Sequence, residues 1–161
     1  MGADGSHSPT RHIIFDNDKN KADAKNVPYN AINLHVRYDD AEKARFVRQH
    51  HPIMYHAIHP AGYWLFVAVQ EVPDPDKPET WVFQLQTTFK KTLEPDLADD
   101  EVSSLEKHWK RAETFGEPFK SANLWIPAGT KLNVNKLSYW VPESWDTRQG
   151  RVIIAGDAAH P

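Results

Sequence analysis

The chain has 161 residues, 40% of them hydrophobic and 25% charged, with a formal net charge of −3 and no cysteine. That size supports one domain with a sizeable core, and the slight acidity gives no electrostatic reason to bind nucleic acid or an anionic membrane surface. Disulfide and thiolate chemistry are excluded, no apolar run approaches the roughly 20 residues a bilayer requires, and Met1–Asp4 has neither the basic nor the apolar region of a secretory leader, so a cytoplasmic location is expected.

In chain order, Asp4-Gly5 is a turn signal, and Ser8-Pro9 reads as a helix start with Ser as N-cap and Pro in the first turn. Arg11 sits one turn further on. Residues 15–27 are polar and rich in Lys and Asp, and predict a surface loop or disordered insertion. From Tyr29 to Tyr38, Ile32, Leu34, Val36 and Tyr38 alternate with Asn33, His35 and Arg37, which predicts a half-buried strand. Asp39-x-x-Glu42 resembles a capping box that opens a helix through Arg48.

Ile53–His59 and Tyr63–Val72 read as two strands joined by a hairpin turn at Pro60-Ala-Gly62, and the second is apolar enough to be expected at the sheet centre. The proline-rich stretch from Val72 to Pro78 cannot stay in a ladder. Thr80–Phe89 then alternates, with Trp81, Phe83, Leu85 and Thr87 on one face and Val82, Gln84, Gln86 and Thr88 on the other. Such a sheet suits a core on one side and a ligand or water on the other.

Thr92–Asp100 reads as a linker, with Asp96, Asp99, Asp100 and Glu101 as solvated caps at a helix start. The periodicity of Val102, Leu105, Trp109, Ala112 and Phe115 predicts a helix over 101–115, stopped by Gly116. Phe119–Trp125 is a short helix, Leu137–Val141 a strand, and Trp145–Gly150 a polar turn. Thr130–Asn135 has no readable pattern. His50, His51, His56 and His59 do not converge as metal ligands do, since His56 and His59 fall on opposite faces of a strand. No Ser-His-Asp arrangement is discernible, so no catalytic side chain and no metal are assigned.

The last stretch, Arg151-Val-Ile-Ile-Ala-Gly-Asp-Ala-Ala-His-Pro161, reads as a strand buried on both faces, a glycine turn, and a helix opening at Asp157. A carboxylate and free N–H groups at a strand end suit a ligand with hydroxyls and phosphates. By itself the same string fits an ordinary N-capping aspartate.

Taken together, the two end stretches resemble the FAD-dependent aromatic hydroxylases and epoxidases, the flavoprotein monooxygenases. Asp4, Gly5, Ser8 and Arg11 match the family's Asp-Gly-x-x-Ser-x-x-Arg motif, and Gly156-Asp157-Ala158 its Gly-Asp motif. The resemblance implies an α+β fold: an antiparallel or mixed β-sheet substrate domain with flanking helices over 28–145, with 1–14 and 150–161 as edges of a Rossmann-like FAD-binding domain. It also implies cofactor contacts from Asp4, Gly5, Arg11, Gly156, Asp157 and Ala158, with Asp157 on a ribityl hydroxyl and Asp4 and Arg11 on the pyrophosphate and nicotinamide side.

The implied activity is insertion of one atom of dioxygen into an aromatic or olefinic small molecule, with NAD(P)H as reductant. The family's Gly-x-Gly-x-x-Gly signature is absent from the chain. The expectation is therefore a central piece of a longer enzyme, inactive alone and lacking N- and C-terminal parts. The alternatives are a non-catalytic ligand-binding or interaction module descended from such an enzyme, or an incomplete gene product.

Overall fold

The computed structural model describes residues 1–93 and 104–161. The acidic run from Asp96 to Glu101 and the first turn of the helix predicted from Glu101 lie outside the described residues. Among these, the helices are α1 (Pro9–Ile14), α2 (Lys19–Ala22), α3 (Ala41–Arg48), α4 (Leu105–Ala112) and α5 (Phe119–Leu124). The strands are β1 (Lys25–Arg37), β2 (Met54–Ile58), β3 (Trp64–Glu71), β4 (Val82–Lys90) and β5 (Asn133–Tyr139). They form one sheet in the order β2-β3-β4-β1-β5, with β2–β3, β3–β4 and β4–β1 antiparallel. The fold is α+β, as expected. The chain divides into two compact units, Pro28–Asn135 and Met1–Val27 with Lys136–Pro161.

In the larger unit the strand alternation holds. Ile32, Leu34 and Val36 of β1, Phe83 and Leu85 of β4, and Leu65 and Val67 of β3 are buried, and they pack with Ala44, Val47, Ala112, Phe119 and Ala122 from the helices. Fully burying each large side chain contributes about 1.5–3 kcal/mol. The Tyr38 hydroxyl donates to Ala122 O at 2.8 Å, tying the end of β1 to α5, and burial pushes the phenol pKa up. The sheet centre is β4, not β3. Although Trp64–Val69 of β3 are all apolar, only Leu65 and Val67 are buried, while Trp64 and Phe66 are half-buried on the other face.

Three local expectations shift. The cap of α3 is Asp40 rather than Asp39: its carboxylate accepts from the Glu42 and Lys43 amides at 2.9 and 3.1 Å. Asp39 instead takes a left-handed φ of 53° and accepts from Arg37 Nε. On α4 the buried positions are His108, Arg111 and Ala112. Polar residues thus hold part of the expected apolar stripe, and His108 Nε2 and Asn123 Oδ1 lie 2.8 Å apart between α4 and α5. Gly116 has no left-handed φ and does not cap the helix; the cap is Glu113.

In the smaller unit, Ser8 caps α1, accepting from the Arg11 amide at 3.0 Å, with Pro9 at the first position. Residues 15–27, expected as a loop, instead form α2 and the start of β1. Asp18 caps α2 by accepting from the Asn20 amide, and Phe15 and Ala22 join Trp140 in a second small core. Phe15 meets the edge of Trp140 at 6.0 Å between centroids, and the indole N–H donates to Lys21 O.

The final segment is not a strand buried on both faces. Ile154 forms an isolated parallel bridge with Gly2, held by Gly2 N to Ile153 O and Ala155 N to Gly2 O, both 2.8 Å. Ile153 is 48% exposed. With hydrogen-bonding partners on one side only, these β-branched residues make a bridge and go no further.

Candidate functional site

Two arrangements are candidates for a site, one in each unit. The first is built from the motif residues of the smaller unit. Gly5 turns the chain at φ 84° and Gly156 at φ 61°, left-handed values that favour glycine. Asp4 lies in the loop before α1. Its carboxylate accepts from the Ser8 hydroxyl and from the Thr10 amide at 2.9 Å. Those hydrogen bonds, Ser8 first, favour the ionised form and bring its pKa down to about 2.

Arg11 is only 1% exposed. Its Nε donates to Ala22 O, Nη1 to Ala158 O at 2.9 Å and Nη2 to Ser6 O at 2.6 Å. The guanidinium also sits over the Trp140 ring, 5.1 Å from its centroid. Burial lowers its pKa, with Asp23 and Asp4 opposing. One side chain therefore ties the Asp-Gly loop, the end of α2 and the Gly-Asp turn together through their backbone carbonyls.

Gly156–Ala158 is a single 3₁₀ turn rather than the start of a helix, and Ala155 precedes it at the N-cap position. Asp157 thus has no capping role. Ala158 is fully buried, whereas Asp157 is exposed.

The second arrangement is the other face of the sheet in the larger unit. The register sets His56 opposite Phe66, Phe66 opposite Gln86, and Gln86 opposite Asn33, so the four form one row across the strands. The next row places Gln84 beside His35 and Ala68. Trp64 stacks on Phe66 at 5.5 Å and 18°, and the His56 ring lies 6.1 Å from Trp64. Gln84 Nε2 donates to Asn33 Oδ1 at 3.2 Å. The result is an aromatic strip on β3 beside an amide strip on β4 and β1.

At the β1 side a pocket of about 500 Å³ opens, lined by Asn33–His35 and Lys131–Asn135. The alternation of β4 foretold the amides of this face. The pocket was not foretold, because 130–135 has no periodicity and its first strand residue, Asn133, is polar. Trp81 lies on the packed face, as the alternation that groups it with Phe83 and Leu85 expects. It is 7% exposed, donates to Asp74 O, and carries the Arg48 guanidinium over its ring at 4.3 Å.

Among the described residues no group of three or more His, Asp or Glu side chains is placed to hold a metal ion. His51 Nδ1 instead accepts from the Ile53 and Met54 amides, and His59 Nε2 lies 2.9 Å from Thr114 O. No described helix is long and apolar enough to cross a membrane.

No family model matches the chain. Over its whole length it is 37% identical to an FAD-dependent monooxygenase of Penicillium herquei, covering 39% of that protein. The chain is a relative of the FAD-dependent monooxygenases. It is also 29% identical to one from Talaromyces islandicus, again over its whole length and 39% of that protein. A third, from Emericella nidulans, is 27% identical over 99% of this chain and 42% of its own. The chain thus spans about two fifths of these relatives.

Among solved structures, 2,6-dihydroxypyridine-3-hydroxylase from Arthrobacter nicotinovorans shares the fold. Its TM-score is 0.67 at 15% identity, over 99% of this chain and 42% of that one.

Proposed function

We propose that this chain is the part of an FAD-dependent monooxygenase that binds the substrate and borders the cofactor. Such an enzyme inserts one oxygen atom into an aromatic or olefinic small molecule with NAD(P)H as reductant. The observation that carries the reading lies in the smaller unit. The Gly2–Ile154 bridge and the Arg11 to Ala158 hydrogen bond draw the two motif stretches together, although 147 positions separate Arg11 from Ala158. FAD, when bound, supplies electron transfer and oxygen activation. This chain's residues would position the substrate and border the cofactor, and none of them acts as a nucleophile.

The residues fit that cofactor in two ways. Asp157 presents an exposed carboxylate on a tight turn, suited to accept from ribityl hydroxyls. Gly5 has nothing within 4 Å of where a Cβ would stand, so backbone is open to a close ligand there. Gly156 and Ala158 set the turn that carries Asp157. Asp4 and Arg11 are engaged within the protein and hold the Asp-Gly loop and the Gly-Asp turn in place. The polar–aromatic face of the sheet, with Trp64, Phe66, Gln84, Gln86 and Asn33, orients the substrate and excludes water from it.

The test uses an enzyme expressed from the complete reading frame. Asp157→Ala is expected to weaken FAD binding by about 1.5–3 kcal/mol, roughly 10- to 150-fold in Kd, measured by flavin fluorescence titration. Unchanged affinity removes Asp157 from the site. Mixed with FAD and passed through gel filtration, the 161-residue chain is expected to elute with little or no flavin, and a stoichiometric yellow complex overturns that expectation.

A further inference from the structure

The strand β2, Met54–Ile58, lies at one edge of the sheet and pairs with β3 on its inner side. The hydrogen bonds from Val69 N to Ile53 O and from His59 N to Tyr63 O fix which way its backbone faces. In an antiparallel ladder with those bonds, Tyr55 and Ala57 turn their N–H and C=O groups toward β3, and Met54, His56 and Ile58 turn theirs outward. One outward group is already held, since the Met54 amide donates to His51 Nδ1 at 3.1 Å. The His56 and Ile58 amides and the Met54 and His56 carbonyls stand open along the edge among the described residues.

Free edges are ordinarily guarded by a charge, a proline or a bulge. β2 reads Met-Tyr-His-Ala-Ile and has no proline, lysine or carboxylate, whereas β5 at the opposite edge carries Lys136. Exposed apolar side chains gather at this unguarded edge: Ile53 is 66% exposed, Met54 42% and Ile58 79%.

The strand is also complementary to itself. Set antiparallel to a second copy about His56, every residue of β2 finds a partner. Met54 faces Ile58 and Tyr55 faces Ala57 in both directions, so apolar meets apolar and no like charges oppose one another.

We propose that β2 is a homodimer edge, at which two copies of this chain join antiparallel about a two-fold axis at His56. Each His56 N–H donates to the opposite His56 carbonyl, and each Ile58 N–H to the opposite Met54 carbonyl. Because His56 shares its face with Phe66, and Ile58 with Trp64, the polar–aromatic face runs on from one copy into the other. The inference stands apart from what that face binds. One strand pair with its flanking side chains makes a small interface, so the expected Kd is on the order of 100 µM.

The test is sedimentation equilibrium of the 161-residue chain up to about 1 mM, a range that brackets an interface of this class, with amide hydrogen exchange followed over the same range. The His56 and Ile58 amides are expected to exchange more slowly as concentration rises, while the Met54 amide, already bonded, is unchanged. His56→Lys and His56→Glu each set like charges face to face at the axis and are expected to weaken the dimer about fivefold. An equal mixture of the two is expected to associate more tightly than either alone. His56 is exposed, so a ¹⁵N spectrum unaltered beyond β2 and its neighbours verifies that each variant is folded. A chain that stays monomeric over the whole range overturns the proposal. So does a dimer that ignores both substitutions, or one that leaves exchange at His56 and Ile58 unchanged, because its contact then lies elsewhere.

Discussion

Replacing Arg11 with methionine is the sharpest perturbation the structure offers. The side chain is 1% exposed and its donors go to Ala22 O, Ala158 O and Ser6 O. Ala22 and Ala158 are fully buried, so their carbonyls lose a partner that water does not replace, at about 1–3 kcal/mol each. Ser6 is half-exposed and its carbonyl rehydrates. Loss of the stack on Trp140 adds about 0.5–1 kcal/mol. Relief of the desolvation that already lowers the guanidinium pKa offsets part of this, and methionine refills most of the volume.

The net expectation for Arg11→Met is about 2–4 kcal/mol of destabilisation. Urea unfolding measures it. Hydrogen exchange at the Gly2 and Ala155 amides, which close the bridge, localises it. Arg11→Lys is expected to recover only part of the loss, because a single ammonium cannot span three carbonyls. A loss below about 1 kcal/mol, with both amides still protected, refutes the view that this side chain fastens the motifs.

Three further outcomes are expected. Phe83→Ala removes a fully buried ring that meets Tyr38 at 5.6 Å, and a urea melt should show about 3–5 kcal/mol lost. The Asp4 carboxyl, whose pKa falls from 3.8 to about 2, contributes stability that is fully present above its unfolded pKa and lost as pH falls through about 2. A carboxyl NMR titration with a midpoint near 4 would show that the Ser8 and Thr10 hydrogen bonds are not formed. In Gly2→Ala the new Cβ would stand 2.6 Å from Thr10 Cβ and Cγ2. That overlap should cost about 1–3 kcal/mol and speed exchange at the Ala155 amide, so unaltered exchange would show the strand to be freer than drawn.

The larger unit was legible wherever period and polarity agreed. β1 and β4 alternate over Ile32–Arg37 and Val82–Thr87, so their buried sides were readable there, although β1 begins at Lys25, before the alternation starts. β3 misled because its apolar residues serve two faces: Leu65 and Val67 the core, Trp64 and Phe66 the opposite, half-buried face. Composition cannot separate those uses. On α4, His108 and Arg111 occupy buried positions, and no hydrophobic pattern reveals a buried polar residue whose partner lies on another element. Residues 15–27 looked like loop because α2 is a single turn, whose one fully buried residue is the small Ala22.

The site was legible in its residues more than in its geometry. Ser8, Pro9 and Gly156 announced their turns through capping and glycine chemistry. The commitment of Arg11 to three carbonyls was hidden, since it depends on where Ala22 and Ala158 end up. Likewise the pocket beside Lys131 exists only because β5 begins in a polar stretch and lies beside β1.

One consequence follows from the alternation of β4, Val82–Lys90. In its central run, odd-numbered residues answer to packing, and Gln84 and Gln86 to whatever lies against the sheet. Two separate messages are interleaved in one short strand and can drift independently. On the proposed reading of that face as the substrate surface, swapping the even positions retunes recognition without touching the odd ones, so descendants of this scaffold can change ligand while keeping their melting behaviour.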